Sequence, residues 1–440
     1  MKPIQVGLLG IGTVGSGTFE VLKRNQEEIQ RRAGRPLQIT MVADLDTARA
    51  QAVVGSAVKV VNDARQVVAN PEIDIVVELI GGYGIAKQLV LDAIAAGKHV
   101  VTANKALLAV HGTEIFAAAH KKGVMVAFEA AVAGGIPIIK ALREGLSANR
   151  IHWVAGIING TTNFILSEMR DKGLAFGDVL KQAQALGYAE ADPTFDIEGV
   201  DAAHKATIMA AIAFGVPVQF DKAYVEGITK LEAQDIRYAE QLGYRIKLLG
   251  ISKRTATGIE LRVHPCLVPA KRLIANVEGA MNAVMVQADA VGTTLYYGKG
   301  AGSEPTASAV IADLVDVTRL HTADPLNRVP HLAFQPETFD LAMSKLPVLP
   351  MEQVVTSYYL RLRVADQAGV LAQITGIFAQ AAISIDAVLQ REAGEGENQT
   401  DLIILTHDCL EAKMNQALAH MQQLSTVLAP ITRIRKEELN

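Results

Sequence analysis

Residues 4–25 read IQVGLLGIGTVGSGTFEVLKRN, and this stretch decides how the first segment of the chain should fold. A short apolar run precedes three glycines in the pattern Gly10-x-Gly12-x-x-Gly15, and a helical pattern follows directly. Glycine at these positions lets the backbone turn tightly and approach a pyrophosphate, while the N-terminus of the next helix attracts the phosphates. The stretch therefore predicts a dinucleotide-binding turn between a strand and a helix. A glycine-rich turn without a ligand is the alternative.

A second predicted strand, LQITMVADLD, ends in Asp44, which favours NAD over NADP as the cofactor. A carboxylate at the end of this strand accepts hydrogen bonds from the ribose 2′-hydroxyl group of NAD. Asp44 follows Gly15 at a longer spacing than is usual, so we expect a long helix between them. Two alternatives stay open, because Arg49 could reach a 2′-phosphate and Asp44 could be an ordinary turn residue.

Short apolar strands continue to alternate with helices as far as residue 135. The strands DIVVELIGG and HVVTANK end in small or polar residues, and the helix GIAKQLVLDAIAAG lies between them. This alternation predicts a Rossmann fold, a doubly wound parallel sheet, over residues 1–135, with a helix near 303–325 that packs back on it. Lys105 stands at the carboxyl end of a predicted strand, where ligands bind in such sheets. It is a candidate for chemistry, and a solvated lysine at a helix start is the alternative.

Residues 136–345 follow a different pattern and predict an α+β domain for substrate binding, catalysis and dimerisation. HWVAGIINGTTNFILSEM reads as a strand, a turn over residues 160–163 and an amphipathic helix. The helices FGDVLKQAQALG and DAAHKATIMAAIAFG come next. The later strands YRIKLLGISKR, GIELRVHPCLVP and NAVMVQAD predict a mixed or mostly antiparallel sheet.

An acidic stretch, YAEADPTFDIEGVDAAHK at residues 188–205, allows three interpretations. A calcium loop that starts at Asp192 would need glycine where Ile197 stands, so that interpretation fails. A solvated turn explains the first acids but not Asp201 and Lys205, which lie four residues apart on a predicted helix that continues as a very apolar run. A lysine that enters a buried helix beside an aspartate is a candidate proton donor, because burial and its partner set its pKa.

Six motifs together closely resemble the homoserine dehydrogenase family over residues 1–330. They are GLLGIGTVGSG, VTANKALLA, EAAVAGGIPII, GIINGTTNFIL, GYAEADPTFDIEGVDAAHK and GKGAGSEPTASAV. The resemblance implies NAD(P)H-dependent interconversion of L-aspartate 4-semialdehyde and L-homoserine, on the route to threonine, methionine and isoleucine.

The resemblance also implies roles for single residues. The dinucleotide turn would consist of Gly10, Gly12, Thr13, Val14 and Gly15, with Gly302 on the cofactor side. Lys105 would lie near nicotinamide and substrate. Lys205 would be the catalytic lysine, and Asp201 would be its carboxylate neighbour. Glu190 would hold the substrate ammonium group, with Asp196 as a further acid nearby. A sodium or potassium ion would be held by the backbone carbonyls of Glu129, Val132, Gly134 and Ile136. Neither the order of importance of the two lysines nor the identity of the cation follows from the sequence.

Residues 351–440 follow a proline-containing connector and predict a separate βαββαβ unit, which is ferredoxin-like. Its first strand–helix turn, Asp366-x-x-Gly369-Val370-Leu371, resembles the ACT domain, a small amino-acid-sensing module. The resemblance implies an effector at this turn, and threonine is the expected one. A dimerisation domain that binds no ligand is the alternative.

Composition limits the partners and the compartment. A formal net charge of −4 gives no reason to expect nucleic acid or an anionic membrane as a partner. The two cysteines, Cys266 and Cys409, have no CxxC spacing, and the N-terminus does not resemble a signal peptide, so we expect a cytoplasmic protein. We expect a homodimer or homotetramer.

Two other functions compete with a homoserine dehydrogenase. One is an amino-acid sensor on an inactive dehydrogenase body, against which the retention of Lys105, Lys205 and Glu190 argues. The other is a semialdehyde dehydrogenase with a thiol nucleophile, which would need a base beside Cys266 that the sequence does not indicate.

Overall fold

The computed structural model describes residues 2–335, 345–390 and 397–440. The elements of the first unit are β1 (Ile4–Leu9), α1 (Thr13–Arg24), α2 (Gln26–Ala33), β2 (Leu37–Ala43), α3 (Thr47–Val54), β3 (Lys59–Val61), α4 (Ala64–Ala69), β4 (Ile75–Glu78), α5 (Ile85–Ala95), β5 (His99–Thr102), α6 (Lys105–Lys122) and β6 (Val126–Ala127). The strands are parallel in the order β3-β2-β1-β4-β5-β6, which confirms the doubly wound sheet. The order reverses between β1 and β4, where ligands bind in such folds.

The chain between the glycine turn and β2 forms two helices, so the prediction of one long helix is wrong. Helix α1 ends at Arg24, and Asn25 leaves the helical region with φ −107° and ψ 20° before α2 begins. Asparagine is a weak helix former because its side chain competes for nearby backbone groups. Two shorter helices therefore supply the length that the late position of Asp44 requires.

The second unit contains α7 (Ile138–Lys140), β7 (Ile151–Ile157), α8 (Gly160–Lys172), α9 (Phe176–Ala185), α10 (Thr194–Ile197), α11 (Val200–Phe214), β8 (Tyr224–Val225), α12 (Ala233–Gln241), β9 (Tyr244–Arg254), β10 (Ile259–Pro269), β11 (Met281–Ala288), β12 (Gly292–Lys299) and α13 (Ser303–Leu320). Residues 160–163, predicted as a turn, are the first turn of α8, because the side chain of Asn159 accepts a hydrogen bond from the Thr162 N–H and caps the helix. Helix α13 returns to the first unit and packs on α1, where a Cβ on Gly17 would lie 2.4 Å from the Ser303 hydroxyl oxygen.

The last unit contains β13 (Val355–Ala365), α14 (Val370–Gln380), β14 (Ile385–Gln390), β15 (Gln399–Thr406), β16 (Cys409–Leu410), α15 (Glu411–Gln422) and β17 (Thr432–Lys436). Apart from the two-residue β16, this is the predicted ferredoxin-like order. Pro336 of the proline-containing connector and residues 391–396 of the last unit lie outside the described residues.

The sheets of the second and last units are continuous. Strand β17 pairs antiparallel with β13 and parallel with β10, where Cys266 faces Arg435 and Leu267 faces Lys436. The result is an 11-stranded mixed sheet, in which nine strands follow the order β12-β11-β7-β9-β10-β17-β13-β15-β14, while β8 pairs with β10 and β16 pairs with β13. The C-terminal unit is therefore bonded to the catalytic body through backbone hydrogen bonds.

Helix α11 lies at the centre of the molecule. Every residue from Asp201 to Phe214 is buried, because α6, β9 and β10 surround the helix. Charged side chains at such positions need partners, since burying an isolated charge is costly. Among the described residues, none of the helices has the length and apolarity that crossing a bilayer requires.

Candidate active site

The glycine turn after β1 allows only glycine at two of the predicted positions. Gly10 has φ +94°, and a Cβ there would lie 2.9 Å from the carbonyl oxygen of Leu79. A Cβ on Gly15 would lie 2.1 Å from the Gly10 carbonyl oxygen. Thr13 and Val14 form the first turn of α1 and keep some solvent exposure. The turn thus has the close backbone approach that a pyrophosphate site needs.

Beside this turn lies a cavity of about 780 Å³, lined by Gly10, Gly12, Asp44 and Arg49 among others. The carboxylate of Asp44 accepts hydrogen bonds from the backbone N–H groups of Ile11 (2.8 Å) and Asp46 (2.9 Å), and so holds the turn. Arg49 donates to the Ile11 carbonyl oxygen at 3.1 Å. An acid suited to a ribose hydroxyl and a cation suited to a phosphate therefore line the same cavity.

Two lysines from different units meet at one buried carboxylate. Lys205 Nζ lies 2.7 Å from Asp201 Oδ2, and Lys105 Nζ lies 3.0 Å from Asp201 Oδ1. Lys205 also donates to the Ile158 carbonyl oxygen at 2.7 Å. Because Lys105 follows β5 and Asp201 begins α11, the cluster joins the carboxyl end of the parallel sheet to the second unit.

The pKa values of the two lysines are shifted in opposite directions. Burial lowers the pKa of Lys205 below its ordinary value, although the attraction of Asp201 opposes this. The attraction of Asp201 raises the pKa of the more exposed Lys105. Burial acts to raise the pKa of Asp201, but the charges of Lys205 and Lys105 outweigh it and hold this pKa below its usual range. Lys205 is thus the better acid of the pair, and Asp201 stays ionised.

A polar network extends the cluster towards the acidic stretch. The side-chain amide of Asn159 donates to Asp201 (2.8 Å) and to Asp196 (2.7 Å). Thr161 donates to Asp196 at 3.2 Å, and burial raises the pKa of that carboxyl group. Glu190 is exposed at the rim, and its charge acts on Lys105. Sequence reasoning gave no role to Asn159 and Thr161, although a polar pair at the end of β7 was a signal for one.

The backbone curls tightly in the predicted cation loop. Ala133 has φ 57° and Gly134 has φ 49°, and a Cβ on Gly134 would lie 2.5 Å from the Gly300 carbonyl oxygen. Two of the four predicted carbonyl oxygens already accept backbone hydrogen bonds, that of Glu129 from Val132 (3.4 Å) and that of Ile136 from Ile138 (2.8 Å). A carbonyl oxygen has two lone pairs, so these bonds leave room for a cation.

Three family models match the chain. "Homoserine dehydrogenase, NAD binding domain" matches residues 10–129, "Homoserine dehydrogenase" matches residues 137–315, and "ACT domain" matches residues 358–425. The homoserine dehydrogenase of Pseudomonas aeruginosa is 61% identical, with all of both chains covered.

The chain belongs to the homoserine dehydrogenase family.

Other relatives agree with this assignment. The homoserine dehydrogenase of Neisseria gonorrhoeae is 58% identical over the whole of both chains. The crystal structure of a homoserine dehydrogenase from Thiobacillus denitrificans has a TM-score of 0.95 and 65% identity, covering 100% of this chain and 99% of that one. That of Staphylococcus aureus at pH 7.5 has a TM-score of 0.75 and 30% identity, with 99% of each covered. The predicted family, fold class and oxidoreductase activity are confirmed.

The remaining predicted residues of this homoserine dehydrogenase lie outside the lysine cluster. Gly302, with φ +121°, precedes α13, and the neighbouring Ser303 hydroxyl group donates to the Thr13 carbonyl oxygen at 2.8 Å. Asp366, Gly369, Val370 and Leu371 form the turn between β13 and α14 in the ACT domain. Gly369 has φ +92° and caps α14.

The thiol alternative fails for a reason other than the one the sequence indicated. Cys266 does have a neighbouring base, because its Sγ lies 3.2 Å from His264 Nδ1. Both residues are buried in β10, where burial raises the pKa of the thiol well above its ordinary value and lowers that of the imidazole well below its own. An inert buried thiol of this kind is not a nucleophile.

Proposed function

We propose that this enzyme interconverts L-aspartate 4-semialdehyde and L-homoserine with Lys205 as the proton donor. The observation that carries the proposal is the Lys105–Asp201–Lys205 cluster at the carboxyl end of the parallel sheet, two lysines bonded to one buried aspartate. In the reduction, negative charge grows on the aldehyde oxygen as its carbon gains a hydride. Ammonium groups beside that oxygen stabilise the charge, and one of them can supply the proton.

The geometry supports a division of labour between the two lysines. An ammonium group has three N–H donors, and Lys205 uses two of them on Asp201 and Ile158. The third can donate to the aldehyde oxygen and pass its proton to the alkoxide. Its burial-lowered pKa favours this transfer. Lys105, held charged by Asp201, polarises the carbonyl group and stabilises the anionic oxygen until the proton arrives.

We propose that Glu190 and Asp196 receive the substrate's ammonium group. Both carboxylates lie close enough to Lys105 to act on its pKa, so they share one site with the reacting end of the substrate. Asp196 is held by Asn159 and Thr161, while Glu190 lies on the exposed rim. An acid at the rim can attract the ammonium group on entry, and the held acid can fix its position.

A nicotinamide dinucleotide fits the cavity that the glycine turn, Asp44 and Arg49 line, and Gly302 precedes the Ser303 that bonds to this turn. When bound, it would supply or accept the hydride at the substrate carbon. The close approach at Gly10 and Gly15 suits its pyrophosphate group, and Asp44 suits a ribose hydroxyl of NAD. Arg49 suits the 2′-phosphate of NADP, so we propose that both cofactors bind.

We propose that a sodium or potassium ion binds the carbonyls of Glu129, Val132, Gly134 and Ile136. The positive φ values of Ala133 and Gly134 curl the backbone of this loop, and a curled backbone can direct several carbonyl oxygens towards one hard cation. Exchange into a buffer that contains only tetramethylammonium ions tests the proposal. We expect activity to fall and to return with sodium or potassium, whereas undiminished activity would refute it.

Threonine is proposed as the effector of the ACT domain, at the turn formed by Asp366, Gly369, Val370 and Leu371. The N-terminus of α14 offers N–H groups to the carboxylate of an amino acid.

A homo-oligomer is also proposed, because β12 and β14 form open edges of the long sheet. Gel filtration with light scattering tests this, and a particle of 47.0 kDa, the mass of one chain, would refute it.

The test of the proposed activity is the absorbance at 340 nm of purified protein with L-homoserine and NAD⁺ or NADP⁺. We expect turnover that Lys205→Ala reduces by about 10²-fold or more, with the fold retained by circular dichroism. Lys98→Ala is the matched control, because Lys98 is also buried but donates to the carbonyl oxygens of Asn70 and Ile73, away from the cluster. No turnover from folded protein with either cofactor and either cation would overturn the proposal.

A further inference from the structure

Asn282 is a buried polar residue that the active site described above does not use. Asn282 is 1% exposed, and neither its Nδ2 nor its Oδ1 atom has a hydrogen-bond partner among the described residues. A buried amide without partners is costly, because it has lost its bonds to water and gained none in return. A state of the protein in which this amide forms hydrogen bonds would therefore be favoured.

The position of Asn282 connects the substrate side of the cleft with the cofactor side. Asn282 lies at the start of β11, opposite Gly298 on β12. A Cβ on Gly160, next to the Asn159 that bonds to Asp201, would lie 3.6 Å from Asn282 Oδ1. A Cβ on Gly300 would lie 1.9 Å from Asn282 Nδ2. The amide therefore lies between the start of α8 and the loop that precedes α13.

This loop, residues 300–302 between β12 and α13, lies between the proposed cation loop and the dinucleotide turn. The Lys299 carbonyl oxygen accepts from the Gly135 N–H at 3.0 Å, and the Gly300 carbonyl group lies against Gly134. At its far end, Ser303 bonds to the Thr13 carbonyl oxygen in the dinucleotide turn. Glycine at positions 300 and 302 widens the range of backbone conformations that this loop can adopt.

We propose that Asn282 is a positioning residue that bonds to the backbone of Gly300 and Ala301 when the cofactor enters the cleft. Rotation of the peptide group between Gly300 and Ala301 can bring its carbonyl oxygen to Nδ2, or its N–H group to Oδ1, while the Lys299 carbonyl oxygen keeps its bond to Gly135. The bond fixes the loop against the dinucleotide turn at one end and the cation loop at the other. Asn282 thereby favours the cofactor-bound arrangement without touching the reacting atoms.

The substitution Asn282→Leu separates this role from a structural one. Leucine has nearly the same shape and removes an unpaired amide from the core, so the melting temperature of the cofactor-free protein should stay the same or rise. Affinity for NADH or NADPH, measured by fluorescence titration without substrate, should fall by about tenfold, the effect of one hydrogen bond. The KM for the cofactor should rise by a similar factor, with little change in the KM for L-homoserine at saturating cofactor.

Two further variants make the result decisive. Asn282→Ala cannot clash with the loop and should show the same loss of cofactor affinity. Thr318→Val is the matched control, because Thr318 on α13 is 2% exposed and its Oγ1 also has no partner among the described residues. This control should raise the melting temperature and leave cofactor affinity unchanged.

Two outcomes would overturn the proposal. Unchanged cofactor affinity in Asn282→Leu and Asn282→Ala would show that the amide stays unpaired in both states. A lower melting temperature of cofactor-free Asn282→Leu, with cofactor affinity unchanged in the folded fraction, would show that a buried water pairs the amide already. Binding of NADH or NADPH is measured without turnover, so the result for Asn282 does not depend on whether the proposed reaction is correct.

Discussion

At the scale of single residues, Asp201 controls the acidity of both lysines. Its negative charge opposes the lowering of the Lys205 pKa by burial and is the main reason that the Lys105 pKa is raised. Removing this charge while keeping the shape leaves two lysines that repel each other in a buried site. We therefore expect Asp201 to be as important to the proposed reaction as Lys205, the proposed proton donor.

We predict that Asp201→Asn moves the pH dependence of the reduction to lower pH. The donor must be protonated, so the rate is lost as pH rises through the pKa of Lys205. Without Asp201 this pKa falls further, and the loss begins at a lower pH than in the unmodified enzyme. The kcat for reduction at neutral pH should fall by about 10²-fold or more. A pH profile of kcat checks the sign, and an unshifted profile would contradict it.

Arg49 gives a second prediction at this scale, concerning the choice of cofactor. Arg49→Ala should raise the KM for NADP⁺ by about tenfold or more and change that for NAD⁺ little, because only NADP⁺ carries a 2′-phosphate. Arg31→Ala is the control, since that side chain is 82% exposed and pairs with Glu28 on α2. Equal effects of Arg49→Ala on the KM values of the two cofactors would contradict the prediction. They would mean that Arg49 only holds the glycine turn, through its bond to Ile11.

At the scale of elements, the contact of the cation loop with the loop before α13 depends on Gly134. A Cβ there meets the Gly300 carbonyl oxygen, and φ 49° is unfavourable for any residue with a side chain. Gly134→Ala should therefore destabilise the protein by about 2 kcal/mol or more and reduce the affinity for the proposed sodium or potassium ion. Thermal unfolding and cation titration of activity measure the two effects.

The control for this prediction is Gly177→Ala in α9. A Cβ at that position would meet nothing within 4 Å, and glycine within a helix is less favourable than alanine. This variant should be unchanged or slightly more stable. A similar loss in both variants would mean that the contact between Gly134 and Gly300 has no special importance.

The sequence predicts local elements well when their pattern lies within a few residues. The strand, glycine turn and helix of residues 4–25 follow from spacing, and so does the placement of Asp201 and Lys205 on one face of α11. The break at Asn25 was missed because two helices in succession have the same period as one. The network of Asn159, Thr161 and Asp196 was missed because it forms only when β7 and α10 come together in space.

At the scale of the whole molecule, the least predictable feature is the sheet that joins the ACT domain to the catalytic body. It depends on two residue pairs between β10 and β17, strands far apart in the sequence. Local patterns cannot specify such a pairing, and the proline-containing connector indicated independent domains. An effector at the proposed site in the ACT domain would therefore bind to an element that is bonded to the catalytic body.

Arg435 lies at the centre of this junction and gives the last prediction. Its guanidinium group is 1% exposed and bonds to Glu411 in the ACT domain and to Glu226 and Tyr224 in the catalytic body. The backbone beyond Glu226 reaches the acidic stretch, because the Ile228 N–H donates to the Ile197 carbonyl oxygen at 2.8 Å, next to Asp196. A route of direct contacts thus runs from the ACT domain to the proposed ammonium site.

We predict that Arg435→Met destabilises the protein by about 3–5 kcal/mol, because the buried Glu411 carboxylate loses its main partner and keeps, among the described residues, only the single ion pair with Arg433. The same variant should weaken inhibition by threonine more than it weakens basal kcat, since it breaks the contact between the units and spares the lysine cluster. Arg433→Met is the matched control on the same strand, where the side chain also pairs with Glu411 but is 20% exposed, so its effect should be within about 1 kcal/mol. If Arg435→Met lowers stability but leaves threonine inhibition unchanged, the junction holds the two units together without carrying the signal, and the coupling must follow another contact across the sheet.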